Sequence, residues 1–292
     1  MTNYSKQWSS ANPGLLIIMI DQSSSMSEDF SDGESKADFA AKAVNNVIRN
    51  IIDRNFAMEQ PKNRCRIGLI GYGSEARLIR EDSLAGLFNS PAGISPVTKK
   101  INAGDGTLVE TTVNRPYWIE PECSGMTNMV GAFHIARDLI ELHLGTRPDA
   151  PVPVIVSISD GQPNKGGGYE EVKAVVREIT ALPSENGSPL VFNAHIEQNS
   201  FNCRFPADRS ELPPNEHAAF IFDLSSVVPD AYRPAAAMQG ITLKENARGC
   251  MISTDADGLV KLINFGSSQG FIPIGTGRVP APEVVEEYFE EM

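Results

Sequence analysis

The sequence of 292 residues is short of cysteine, of basic side chains and of long apolar runs. Its four cysteines, Cys65, Cys123, Cys203 and Cys250, are scattered and form no Cys-x-x-Cys pair. That argues against a zinc ribbon or finger, whose ligands come in closely spaced pairs. With 41% hydrophobic residues the chain buries an ordinary core and needs no disulfide staples, so the thiols read as reduced packing residues. Lys and Arg number 25 against 37 Asp and Glu, a formal net charge of -12. A basic surface is what displaces counterions from a nucleic acid, and what holds a chain to anionic lipid; the charge argues against both partners. No apolar run is long enough to cross a bilayer. Residues 1–12 are polar, without the apolar centre of a signal peptide, so the expected location is the cytoplasm. Gly71 and Gly73 lack the Gly-Lys-Ser/Thr that would follow in a phosphate loop.

What is present is organised around Leu15-Leu16-Ile17-Ile18-Met19-Ile20-Asp21-Gln22-Ser23-Ser24-Ser25-Met26-Ser27. The branched apolar run predicts a strand buried on both faces, as in the middle of a parallel sheet. Asp21 falls where that strand ends, and in open α/β sheets ligands bind at the carboxyl ends of strands. Asp-x-Ser-x-Ser puts three oxygen side chains at alternate positions, which a turn can converge on one point. Hard divalent cations want such oxygen ligands in near-octahedral order. One carboxylate and two hydroxyls neither fill a metal's shell nor cancel its charge, so further ligands must come from elsewhere. The plain alternative is a Ser-rich turn after a core strand.

Two later stretches supply the remainder. Ser124-Gly125-Met126-Thr127-Asn128 is a turn before a helical pattern, and Val154-Ile155-Val156-Ser157-Ile158-Ser159-Asp160-Gly161 is a second branched strand ending in Asp-Gly. Asp21, Ser23, Ser25, Thr127 and Asp160, in this order, resemble the metal-ion-dependent adhesion site of von Willebrand factor type A domains. The resemblance covers roughly residues 14–265. It implies an α/β, Rossmann-like, doubly wound fold: a mostly parallel sheet with one antiparallel edge strand and helices on both faces. It implies Mg²⁺ as the ion, with Mn²⁺ or Ca²⁺ as alternatives, and an open coordination position that a partner's Glu or Asp fills. Among relatives, a compact chain of this kind is similar to the bacterial TerY type linked to tellurium resistance, stress or defence, with kinase or phosphatase partners. The alternative within the family is an accessory subunit of an AAA+ ATPase, as in metal chelatases. A Mg²⁺-dependent phosphatase of the haloacid dehalogenase class also opens with a strand ending in Asp, but there the pattern is Asp-x-Asp, and here Ser23 holds the second position. No Ser-His-Asp or Cys-His set stands out, and the expectation is a binding module, not an enzyme.

The rest of the chain divides into a lead-in (1–13), the main domain (14–265) with insertions near 97–123 and 197–233, and a Gly/Pro-rich, acidic tail (266–292). Ser35 and Asp38 have capping-box spacing, predicting a helix from there to about 53–56. Strands are predicted over 66–72, 76–80, 190–196 and 249–253, and a short helix within 84–94. In the first insertion two β-prone runs flank Asn114-Arg115-Pro116 and read as a hairpin or extended loop. Tyr117 and Trp118 then either stand on the rim of the metal face as partner contacts or close the core. A helix from Thr127 to about Leu144 is expected to be buried on more than one side. Residues 172–182 show a one-faced helix, 218–224 an added strand, 235–248 a short helix and 255–265 a closing helix. The four histidines, at 134, 143, 195 and 217, show no zinc spacing. The last ten residues read as a docking tail or a disordered end.

Overall fold

The structure is a computed structural model that describes residues 4, 6–31, 33–102, 108–197 and 202–268. Along the chain come β1 (Gly14–Asp21), α1 (Lys36–Arg54), β2 (Cys65–Tyr72), β3 (Ala76–Ser83), α2 (Leu84–Asn89), β4 (Gly93–Asn102) and β5 (Leu108–Tyr117). Then follow α3 (Met129–Thr146), β6 (Val154–Ser159), α4 (Tyr169–Thr180), β7 (Leu190–His195), β8 (Cys203–Arg204), α5 (Glu216–Leu224), α6 (Arg233–Met238), β9 (Cys250–Ile252) and α7 (Ala256–Gly266).

The central sheet runs β8-β9-β7-β6-β1-β2-β3. The five inner strands are parallel, and β3 runs antiparallel to β2. This is the α/β architecture the sequence predicts, with one addition. The two-residue β8 is a second antiparallel edge strand, at the end opposite β3. β1 is buried along its whole length because helices cover both faces. Alternate side chains of a strand point to opposite sides. Leu16, Ile18 and Ile20 accordingly join the core with α1 and α7, while Leu15, Ile17 and Met19 join the core with α3, α4 and α5.

Local chemistry sets the helix starts. At α1 the Ser35 hydroxyl accepts from the Asp38 amide at 3.1 Å and Asp38 accepts from the Ser35 amide at 3.2 Å, closing the predicted capping box. Asn128 caps α3 by accepting from the Gly131 amide, and Asp255 caps α7 by accepting from the Gly258 amide.

Three expectations are corrected. Residues 218–224 form a helix, α5, and not a strand: Asn215 accepts from the Ala218 amide at 2.7 Å, a cap that the apolar run alone conceals. The hairpin of the first insertion exists, but its turn is not at 114–116. Asn114, Arg115 and Pro116 pair with Pro96, Ser95 and Ile94 inside β4–β5, and the link between the two strands, 103–107, lies outside the described residues. Among the described residues this hairpin pairs with no other strand, so Pro116 interrupts no wider ladder. Finally, α3 buries Phe133, Ala136 and Ile140 but leaves Leu142 67% exposed, so it is a one-faced helix. The predicted end at 283–292 lies outside the described residues. Among the described residues no helix is long and apolar enough to cross a membrane.

Candidate metal centre

β1 and β6 are neighbours, yet the chain leaves β1 toward β2 on the other side. Strand order therefore reverses between β1 and β6, and such a reversal opens a crevice at the strands' carboxyl ends. Register places Ile20 opposite Ile158, so Asp21 and Asp160 leave the sheet side by side. Tyr72, fully buried at the end of β2, lies opposite Asp21 and donates its hydroxyl to the Ile158 carbonyl at 3.2 Å, tying the three strand ends together.

Four of the predicted ligands meet directly. The Ser23 amide donates to Asp21 Oδ1 at 2.8 Å. Ser23 Oγ and Ser25 Oγ are 3.1 Å apart, and Ser25 Oγ donates to Asp160 Oδ1 at 2.8 Å. A short 3-10 turn at Ser24–Ser27 bends the chain so that the alternate serines converge. Thr127, 3% exposed, is brought to the same loop cluster by its backbone. The Ser24 amide and hydroxyl both donate to the Gly125 carbonyl at 3.0 Å, and the Thr127 amide donates to Asn164 Oδ1 at 2.7 Å. Gly125 has a φ of 78°, a left-handed conformation natural to glycine.

Gly73 locks this cluster from below. Ser124 donates its amide to the Gln22 carbonyl and Asn128 donates its amide to the Gly73 carbonyl. A Cβ on Gly73 would stand 2.6 Å from the Ser124 carbonyl oxygen and 3.0 Å from that of Gln22. Both are backbone atoms that no rotamer change can clear. Gly73→Ala is therefore expected to lower stability by roughly 1–3 kcal/mol, as overpacking does, and to separate the Thr127 turn from the serine loop. Thermal unfolding, with amide exchange at 124–128, reads both effects; unchanged protection there would refute the lock.

The electrostatics are uneven. Asp21 is wholly buried, and its Oδ2 has no hydrogen-bond partner. Desolvation raises its pKa to about 7, against the lowering effect of the Ser23 hydrogen bonds. A buried, unpartnered carboxylate oxygen beside two hydroxyls and a second carboxylate is a donor set that fits a hard cation. Among the described residues no group of three or more His, Cys, Asp or Glu could hold a metal, so any ion here depends on the hydroxyls beside two carboxylates.

Sequence reading missed two residues here. Lys36, the first residue of α1, has a side chain only 8% exposed, with Nζ 2.9 Å from Asp160 Oδ2 and 2.6 Å from Glu28 Oε2. Burial opposes its charge, but the two carboxylates more than compensate and raise its pKa. A clue was available: a cation at a helix N-terminus opposes the helix dipole and calls for nearby anions. Asn164 was also missed as the support of Thr127; its only signal was a Pro-Asn turn just past Asp160.

Trp118 is not a rim residue. It is 2% exposed, its indole N–H donates to the Leu87 carbonyl at 2.9 Å, and its amide donates to Asn45. It closes the core. Tyr117 is half-buried and donates its hydroxyl to Glu120. Beside Asp160, His195 and His217 are buried with ring centroids 4.7 Å apart. Burial lowers their pKa values to about 4 and about 3.

No known sequence family matches the chain, and no curated protein does. Solved structures with some similarity include the PilB minor pilin from Streptococcus sanguinis, at 13% identity and a TM-score of 0.48, covering 88% of this chain and 61% of that one. The ArnB paralog VWA2 from Sulfolobus acidocaldarius aligns at 14% identity and a TM-score of 0.38, over 80% of this chain and 47% of that one. The vWF domain of a type V pili tip protein from Porphyromonas gingivalis aligns at 16% identity and a TM-score of 0.31, over 59% and 51%. This chain spans less than two thirds of each of these proteins. At these scores the fold rests on the strand order and pairing described above.

Proposed function

We propose that this chain is a von Willebrand factor type A interaction module that engages protein partners through a divalent cation, Mg²⁺ in the cell and Mn²⁺ or Ca²⁺ as substitutes. The observation that carries the reading is the buried, unpartnered Oδ2 of Asp21, set among Ser23, Ser25 and Asp160 where the strand order reverses. Asp21, Ser23, Ser25 and Thr127 would hold the ion, with Asp160 beside them. A cation held mostly by neutral hydroxyls keeps uncancelled positive charge for an incoming carboxylate. The chain's own part is to keep the donors dry and fixed. Tyr72 and the Gly73 lock hold the loops, and Asn164 holds Thr127.

The same reading makes the chain a binding module and not an enzyme. Its proposed role is a cytoplasmic adaptor of the TerY-like stress or defence type, with a kinase or phosphatase partner; the accessory subunit of an AAA+ ATPase is the other role. A pull-down from the native host with Mg²⁺ or with EDTA, using wild type and Asp21→Ala, tests it. The expected result is a partner lost both on chelation and on substitution. Recovery of a hexameric ATPase would assign the second role. A partner retained under both conditions would move the binding surface away from the metal face and sink the proposal.

A further inference from the structure

Resting on the metal reading, we infer that Lys36 is a specificity-determining residue of the site: its tethered ammonium neutralises Asp160 and sets how much positive charge remains for a partner's carboxylate. The geometry is unusual for a surface lysine. Its side chain is only 8% exposed and its Nζ is held between two carboxylates, 2.9 Å from Asp160 and 2.6 Å from Glu28. Its backbone amide donates to the Glu28 carbonyl at 3.0 Å, so the chain between Glu28 and Lys36 closes into a loop that presents the side chain inward.

The consequence follows from counting charge. Asp160 has a fully buried side chain, and both its oxygens are taken, one by Ser25 Oγ and one by Lys36. Burying an ammonium and a carboxylate together costs desolvation that only close pairing offsets. The pair is therefore held in place and carries no net charge, which leaves Asp21 as the one uncompensated carboxylate within the buried site. A divalent ion there would retain about one unit of positive charge, which one carboxylate cancels. Without Lys36, Asp160 would cancel that charge from inside. The ion would then bind more tightly, and the attraction for a partner's acid would fall. Glu28 acts in the opposite sense: 64% exposed, it partly offsets Lys36 from the solvent side.

The test is a titration of the full chain with Mn²⁺ alone, followed by electron paramagnetic resonance, and then of the Mn²⁺-loaded chain with acetate. Lys36→Met is expected to tighten Mn²⁺ binding about tenfold, the scale of one charge moved at close range in a partly screened site, and to weaken acetate. Lys36→Arg, which keeps the charge, restores wild-type behaviour. Glu28→Gln is expected to weaken Mn²⁺ binding. These opposite signs are what a merely structural role would not produce. Wild-type Mn²⁺ binding with no change, or a loss, in Lys36→Met overturns this inference and leaves the metal reading standing. Absence of binding in every variant overturns both. If Lys36→Met does not fold, Glu28→Gln decides alone, and an unchanged or tighter affinity there overturns the inference.

Discussion

Asp21→Asn is expected to raise the stability of the metal-free chain at pH 8 and, at the same time, to erase any stabilisation by Mg²⁺. Both effects come from one atom. Asn keeps an oxygen for the Ser23 amide that now donates to Asp21 Oδ1 at 2.8 Å. It removes the charge on a side chain that is wholly buried and whose Oδ2 has no partner. The sign follows from linkage. The folded-state pKa of about 7 lies above the ordinary aspartate value of 3.8, so between those values the folded chain holds the extra proton and stability falls as pH rises. Above pH 7 the penalty is complete, about 4 kcal/mol at 1.36 kcal/mol per unit. Part of it returns as the cost of an unpartnered amide N–H₂ in Asn. A gain of roughly 2 kcal/mol would still move a melting temperature by several degrees. The measurement is thermal unfolding at pH 5 and pH 8, in EDTA and in Mg²⁺. A destabilised Asn variant at pH 8 in EDTA would mean that Asp21 is a structural acid and would undo the metal reading.

Acid unfolding beginning well above the carboxylate range is the second expected result. Burial lowers the pKa of His143 to about 4, His195 to about 4 and His217 to about 3, against 6.5 for the free side chain. Arg147 and Arg66 add to the lowering at His143. Each group is kept neutral by the fold and charges freely when the chain unfolds. Their stability contribution is whole above pH 6.5 and is lost as pH falls toward the folded values. His143 and His195 are each worth about 3 kcal/mol across that window and His217 about 5 kcal/mol, so together they rival the whole stability of a typical domain. Asp21 titrates in the opposite sense over the same range, but it is one group against three. Urea midpoints at pH 7.5, 6 and 5 should fall steeply. His217→Phe should flatten the curve, since the ring sits among His195, Tyr169 and Phe220 with both nitrogens lacking hydrogen-bond partners. An unaltered slope would show that His217 is solvated in the folded chain.

Much of this molecule was legible in its sequence for definite reasons. A strand buried on both faces must be apolar at every position, so β1 and β6 announced themselves. Ser35 and Asp38 fixed the start of α1 because a capping box is local chemistry. The serine loop and Asp160 were legible because they close elements the pattern had already placed. What escaped was set by tertiary context. The run at 218–224 has no period of its own, and only the Asn215 cap and packing into the core shared with α3 and α4 decide that it is helical. The β4–β5 hairpin keeps pairing through Pro116 because no third strand needs its amide. Sequence left Trp118 open between the rim and the core, and only the Leu87 carbonyl and Asn45, which receive it, decide for the core. Lys36 lies 124 residues from Asp160, and no spacing rule joins them.

The two antiparallel ends of the sheet have a bearing on colloidal behaviour. An open sheet is a template for addition of strands from other molecules, which leads to filaments and precipitates. β3 lines one margin with Arg77, Arg80, Glu81 and Asp82, all four in ion pairs: Arg77 with Glu122, Arg80 with Asp82 and Glu81 with Arg66. At the other margin β8 offers only two residues before Phe205 turns the chain away at a φ of 50°. A neighbouring molecule thus meets charge at one margin and too little backbone at the other, and the sheet stops at seven strands.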